Sequence, residues 1–75
     1  MNALEIVTQR IERKIDGLKG KMKNPYYRGI NFKALHAIEH EVEIITEKAY
    51  FTDESYYEAI AKLEGIETVL SILNE

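Results

Sequence analysis

Apolar residues along the chain fall into three runs with a helical period, separated by two stretches of turn-forming chemistry. In the first run Leu4, Val7, Ile11, Ile15, Leu18 and Met22 recur at steps of three or four, one stripe of a 3.6-residue helix. Glu5, Gln9, Arg10, Glu12, Arg13 and Lys14 occupy the outward positions. Gly17 and Gly20 weaken the last turns, and Pro25 cannot continue a helix and pushes Asn24 toward extended geometry. The first helix is therefore expected over about residues 2–22.

The second run, Leu35, Ile38, Val42, Ile45 and Ala49, alternates steps of three and four, the a/d seam of a heptad. It follows Asn31, a favoured N-cap type, so a helix over about residues 31–50 is predicted. Next, Tyr50-Phe51-Thr52-Asp53-Glu54-Ser55 reads as a tight connection. Thr52 suits an N-cap, Asp53 and Glu54 suit the positive end of a helix dipole, and Ser55 with Glu58 offers an alternative capping box. A third helix over about 53–74 carries Ala59, Ile60, Leu63, Ile66, Val69, Leu70, Ile72 and Leu73. Its C-terminal half is apolar over more than half its circumference, too wide for one neighbour. It must cover a second surface, supplied by the first helix or by another copy of the chain.

Together these elements predict an all-α, three-helix single domain over residues 1–75. Its expected frame is an antiparallel hairpin of the second and third helices, forced by their short connection. The first helix is then packed across the hairpin or exchanged with a neighbour. A chain of 75 residues buries only roughly 60% of the surface its unfolded form exposes. Small domains compensate with disulfides, metals, regular helix packing or self-association. Cysteine is absent, which removes disulfides and thiolate metal sites. Self-association, as a homodimer, is the expected remedy. No run approaches the roughly 18 apolar residues of a membrane span, and Met1-Asn2-Ala3-Leu4-Glu5 lacks the pattern of a signal peptide. A soluble, cytoplasmic protein without membrane contact is expected.

The net charge of −3 hides an asymmetry. Residues 1–33 hold eight bases against three acids, net +5, and residues 34–75 hold two bases against ten acids, net −8. Such a split steers partners or holds the first helix against the other two; the second reading is favoured. The basic stretch mixes Arg10, Arg13, Lys14, Lys21 and Lys23 with Tyr26 and Tyr27, a composition suited to phosphate tracking with base stacking. The acidic balance of the whole chain argues against a dedicated nucleic-acid binder, so this reading is the alternative.

Two short motifs invite chemistry. His36-Ala37-Ile38-Glu39-His40 has the H-x-x-E-H spacing with which inverzincin metalloproteases hold zinc. With Leu35 and Val42 at a positions, however, His36 and His40 point away from the seam, and no third ligand or cleft is in view. His36, His40 and Glu43 are weak metal candidates along one outer face; no metal or other cofactor is expected. Gly17-Leu18-Lys19-Gly20-Lys21 matches the G-x-x-G of KH loops, yet no run alternates like the strands that fold needs. It reads as a helix end that two glycines help to terminate.

No nucleophile–base arrangement is present, and no enzymatic activity is expected. The aromatics come as three adjacent pairs near helix ends, Tyr26-Tyr27, Tyr50-Phe51 and Tyr56-Tyr57. In each pair one ring can pack inward while the other faces out, or both rings can cap the ends of the small core. Exposed tyrosines suit protein interfaces. The expectation is a small interaction or regulatory protein, of inhibitor or assembly-factor type, that engages a protein partner through Tyr26, Tyr27, Arg28, Tyr56 and Tyr57.

Overall fold

A computed structural model describes residues 2–75. Three helices follow one another: α1 (Ala3–Lys21), α2 (Phe32–Thr46) and α3 (Asp53–Leu73), with no strand among the described residues. The all-α three-helix domain expected from the periodicity is the observed one.

Each helix starts where a polar side chain satisfies a free backbone amide. The Asn2 side chain accepts from the Glu5 amide, and the Asn31 side chain accepts from the Ala34 amide. Thr52 caps α3 in a reciprocal box: its Oγ1 accepts from the Ser55 amide at 3.0 Å, and Ser55 Oγ accepts from the Thr52 amide at 2.8 Å. Residue Ser55 thus completes the Thr52 cap and does not open a cap of its own with Glu58.

The helix α2 ends at Thr46, about a turn before the expected residue 50. Its last turn carries no base, while Glu43 and Glu47 place like charge on the negative end of the dipole. The Thr46 hydroxyl donates to the Val42 carbonyl at 2.9 Å, and the chain leaves the helix there. Ala49 consequently lies outside the seam, exposed in the connection.

α2 and α3 form the expected antiparallel hairpin, and α1 lies along it within the same chain. At one end the Leu4 amide donates to Tyr56 Oη at 3.3 Å; at the other Asn74 Nδ2 donates to the Lys14 carbonyl at 3.1 Å. α1 and α3 therefore run parallel, side by side within one chain, and theirs is the dominant helix contact. α2 returns antiparallel to both. The result is a rod of 44 × 19 × 17 Å.

The core holds Val7, Ile11, Ile15 and Leu18 from α1, Leu35, Val42 and Ile45 from α2, and Ala59, Leu63 and Leu70 from α3. Every one is an apolar position of the sequence stripes. The glycines of α1 do not fray it. The helix continues through fully buried Leu18, and Gly17 lies against α3, where an added Cβ would stand 2.9 Å from Asn74 Oδ1.

Candidate functional site

Of the two arrangements open to the paired aromatics, the structure has one ring in and one out in each pair. Tyr27, Phe51 and Tyr56 are half-buried, whereas Tyr26, Tyr50 and Tyr57 are 84%, 78% and 69% exposed. The packed ring of each pair has a structural task. Tyr27 Oη donates to the Leu73 carbonyl at 3.3 Å, tying the α1–α2 loop to the end of α3. Its ring covers Gly29 so closely that a Cβ there would overlap it. Tyr56 accepts from the Leu4 amide and packs edge-on against Phe51 and Tyr57, each with ring centroids 6.1 Å apart.

The expected partner-binding residues form two groups, not one. Tyr26, Tyr27 and Arg28 sit in the α1–α2 loop beside the C-terminal end of α3, whereas Tyr56 and Tyr57 stand on its first turns. Sixteen residues of helix, roughly 24 Å at about 1.5 Å per residue, separate Tyr57 from Leu73. In the loop group the Arg28 guanidinium donates to the Pro25 carbonyl at 2.6 Å and the Tyr27 carbonyl at 3.1 Å. Its Nη1 is thereby engaged in shaping the loop.

At the other end the rings are more numerous. Tyr50, Phe51, Tyr56 and Tyr57 gather around the α2–α3 turn, edge to face where they touch. The Lys48 ammonium lies 5.9 Å from the Phe51 ring centre, within the range of a cation–π contact. Glu47, Asp53, Glu54 and Glu58, all exposed, lie within a few residues of these rings along the chain and leave this end with a negative balance against Lys48.

Part of the basic set is engaged with neighbouring helices. Arg10 grips Glu67 through Nε at 2.8 Å and Nη2 at 3.1 Å, and Lys14 approaches the same carboxylate at 3.4 Å. The Arg10 hydrogen bond, followed by that of Lys14 and the charge of both, outweighs partial desolvation and holds the Glu67 carboxyl below its ordinary pKa. Lys21 donates to the Asn74 carbonyl, and Lys19 pairs with Glu39 at 3.5 Å. Arg13 and Lys23 are exposed and, among the described residues, form no ion pair. Three of the eight bases, Arg10, Lys14 and Lys19, thus hold α1 against its neighbours.

His36, His40 and Glu43 are exposed on α2, and Glu43 lines the groove toward α1, not an outer face shared with the histidines. His36 Nδ1 stands 3.7 Å from Glu39 Oε1. Among the described residues no group of three His, Asp or Glu side chains is placed to hold a metal ion, and no helix is long and apolar enough to cross a membrane.

One surface falls outside the expected site list. Opposite α1, a groove of about 370 Å³ opens between α2 and α3. Ile38 and Ile45 form one wall, Ile66 and Val69 the other, with Gly65 between and Glu41 and Lys62 facing into it. Its signal was the excess width of the apolar stripe on α3: α1 covers only part of it, leaving Val69 and Ile72 50% and 61% exposed.

Fold and surface together define a three-helix all-α domain with one aromatic, acidic end and one apolar groove. Compared with protein-family models, curated proteins and solved structures, the chain matches none.

Proposed function

We propose that this protein is a non-enzymatic interaction module that grips a basic segment of a protein partner with its aromatic, acidic end. The observation that carries this reading is the ring cluster at the α2–α3 turn. The hydrogen bond from Leu4 and the edge-to-face contact with Phe51 fix Tyr56, whose ring in turn braces Tyr57 while leaving it exposed. A braced, exposed tyrosine loses little conformational freedom on binding, which is the property of interface anchors. The carboxylates at this end favour arginine and lysine on the partner, whose guanidinium groups also stack on tyrosine faces. A small domain of this kind acts by occupying a surface, as inhibitors and assembly factors do.

The test is a pull-down with the tagged protein from lysate of its source cell, with and without nuclease. The wild type, the pair Tyr50→Ala/Tyr57→Ala and the single change Tyr26→Ala are compared. The expected result is a stoichiometric protein that persists after nuclease, is lost with the double change and is kept with Tyr26→Ala. Recovery of nucleic acid, or loss of every partner after digestion, replaces this reading with nucleic-acid binding through the basic α1 and its loop, where Arg13, Lys21, Lys23 and Arg28 form no ion pair among the described residues.

A further inference from the structure

We infer that the groove between α2 and α3 is the contact surface of a two-fold dimer, filled by the same groove of a second copy of this chain. This surface is separate from the aromatic end. Four observations converge on that occupant.

The first is area. The chain exposes 5316 Å², whereas a compact monomer of its mass exposes about 4,700 Å². The excess, about 600 Å², is spread over a rod of 44 × 19 × 17 Å, whose long sides offer room for the roughly 800 Å² that each partner contributes to a standard interface.

The second is chemistry. The groove walls are aliphatic, and Val69, one of them, is half exposed.

The third is Gly65. It lies inside α3, and a Cβ built on it meets nothing within 4 Å. Glycine here costs helix stability relative to alanine without any close approach inside the chain that would require it. What it permits is close approach of another backbone from outside.

The fourth decides between a second copy and a foreign partner. Glu41 on α2 and Lys62 on α3 line the same stretch of groove, and among the described residues neither forms an ion pair. A two-fold axis running along the helices, in the plane of the contact, lays α2 on α3 of the other copy at the same height. Glu41 then meets Lys62 of the partner subunit, and Lys62 meets Glu41 of the partner subunit. An isologous interface requires such self-complementarity, with opposite charges at matched positions on either side of an apolar strip. The four helices α2, α3 and their copies form a bundle in which each neighbour runs antiparallel.

Sedimentation velocity across a range of concentrations tests the inference, with circular dichroism verifying the helix content of every variant. The wild type is expected to shift from chain mass toward twice that mass as concentration rises. Lys62→Glu, which sets like charges face to face, is expected to weaken the dimer by about tenfold or more. Adding Glu41→Lys to the same chain restores it. Gly65→Ala is expected to raise the melting temperature of the monomer by a few degrees and to weaken the dimer, two effects of opposite sign that a purely intramolecular glycine would not produce. A wild type that stays monomeric at every concentration overturns the inference. So does a dimer whose dissociation constant neither Lys62→Glu nor Gly65→Ala moves.

Discussion

The two seams of α3 are built differently. Against α1 it is closed at every level. The Tyr56 hydroxyl holds the Leu4 amide near the top, Glu67 takes Arg10 and Lys14 in the middle, and Asn74 reaches Lys14 and Lys21 at the bottom. Against α2 its buried contacts are apolar, with no hydrogen bond or ion pair between the two helices among the described residues and a groove along their outer side, into which Glu41 and Lys62 face. The tighter seam joins the helices furthest apart in sequence. A connection as short as that between Thr46 and Asp53 keeps α2 beside α3 at little cost in loop entropy. Pairing α1 with α3 closes a loop of more than fifty residues, and parallel alignment without a short turn needs contacts that set register. The polar groups lie where register had to be specified. The apolar surface left over lies where it did not.

The largest effect should come from the closed seam's core. Leu18 is fully buried in α1, and Leu18→Ala is expected to destabilise by about 2–5 kcal/mol through lost transfer energy and the cavity left behind. In a domain this small that is a fall of at least about 8 °C in melting temperature. Val69→Ala on the open seam, measured in dilute solution, is expected to cost less than about 1 kcal/mol, since half of Val69 is already in water. Equal losses in the two variants, read from thermal or urea unfolding, would erase the contrast between the seams.

A smaller and more diagnostic effect belongs to the lower end of the closed seam. Asn74 donates from one amide nitrogen to the carbonyls of Lys14 and Leu70, at 3.1 and 2.9 Å, over the space that Gly17 leaves open. Asn74→Ala is expected to cost about 1–2 kcal/mol. Gly17→Ala should be near neutral in the wild type, because the helix gains propensity while the amide is displaced. In the Asn74→Ala background the same change should stabilise by up to about 1 kcal/mol. The measured quantity is the coupling in that double-mutant cycle; additive effects would mean that Gly17 and Asn74 act independently.

How much of this was legible follows from what each feature depends on. The helices, their caps at Asn31 and Thr52 and every core position were readable, because they rest on period and local hydrogen bonding. The end of α2 was misplaced by about a turn, since the apolar seam continues to Ala49 while the dipole and the Thr46 hydroxyl stop the helix first. The parallel pairing of α1 with α3 was not readable. The stripe on α1 states that a face is buried but not along which partner or in which direction. The tyrosines show the same limit: the one-in, one-out division was one of two arrangements open within each pair, while their assignment to opposite ends of the rod required knowing which helix ends meet. The groove was half legible, as the excess width of the apolar stripe on α3; its companion wall of Ile38 and Ile45 looked like ordinary seam.

The smallest effect concerns charge, and it distinguishes the seams by their response to acid. The Glu67 carboxyl is held below its ordinary pKa, first by the Arg10 hydrogen bond and then by Lys14, while the α2–α3 seam holds no such pair. A carboxyl with a depressed pKa in the folded state contributes stability that is fully present above its unfolded pKa, about 4.3. That contribution is lost as pH falls through the lower, folded value. Neutral and mildly basic conditions should therefore leave the clamp intact, and its contribution should decline only below about pH 4.3. Arg10 is nearly half exposed, so solvent screening limits the pair to about 1 kcal/mol or less. Glu67→Gln is expected to remove that amount at neutral pH and to flatten the acid limb of the stability curve, measured by urea unfolding at a series of pH values. Lys62→Gln in dilute solution should do neither. If Glu67→Gln left the acid limb unchanged, the polar contacts of the closed seam would set register without adding stability, and its advantage over the open seam would be packing alone.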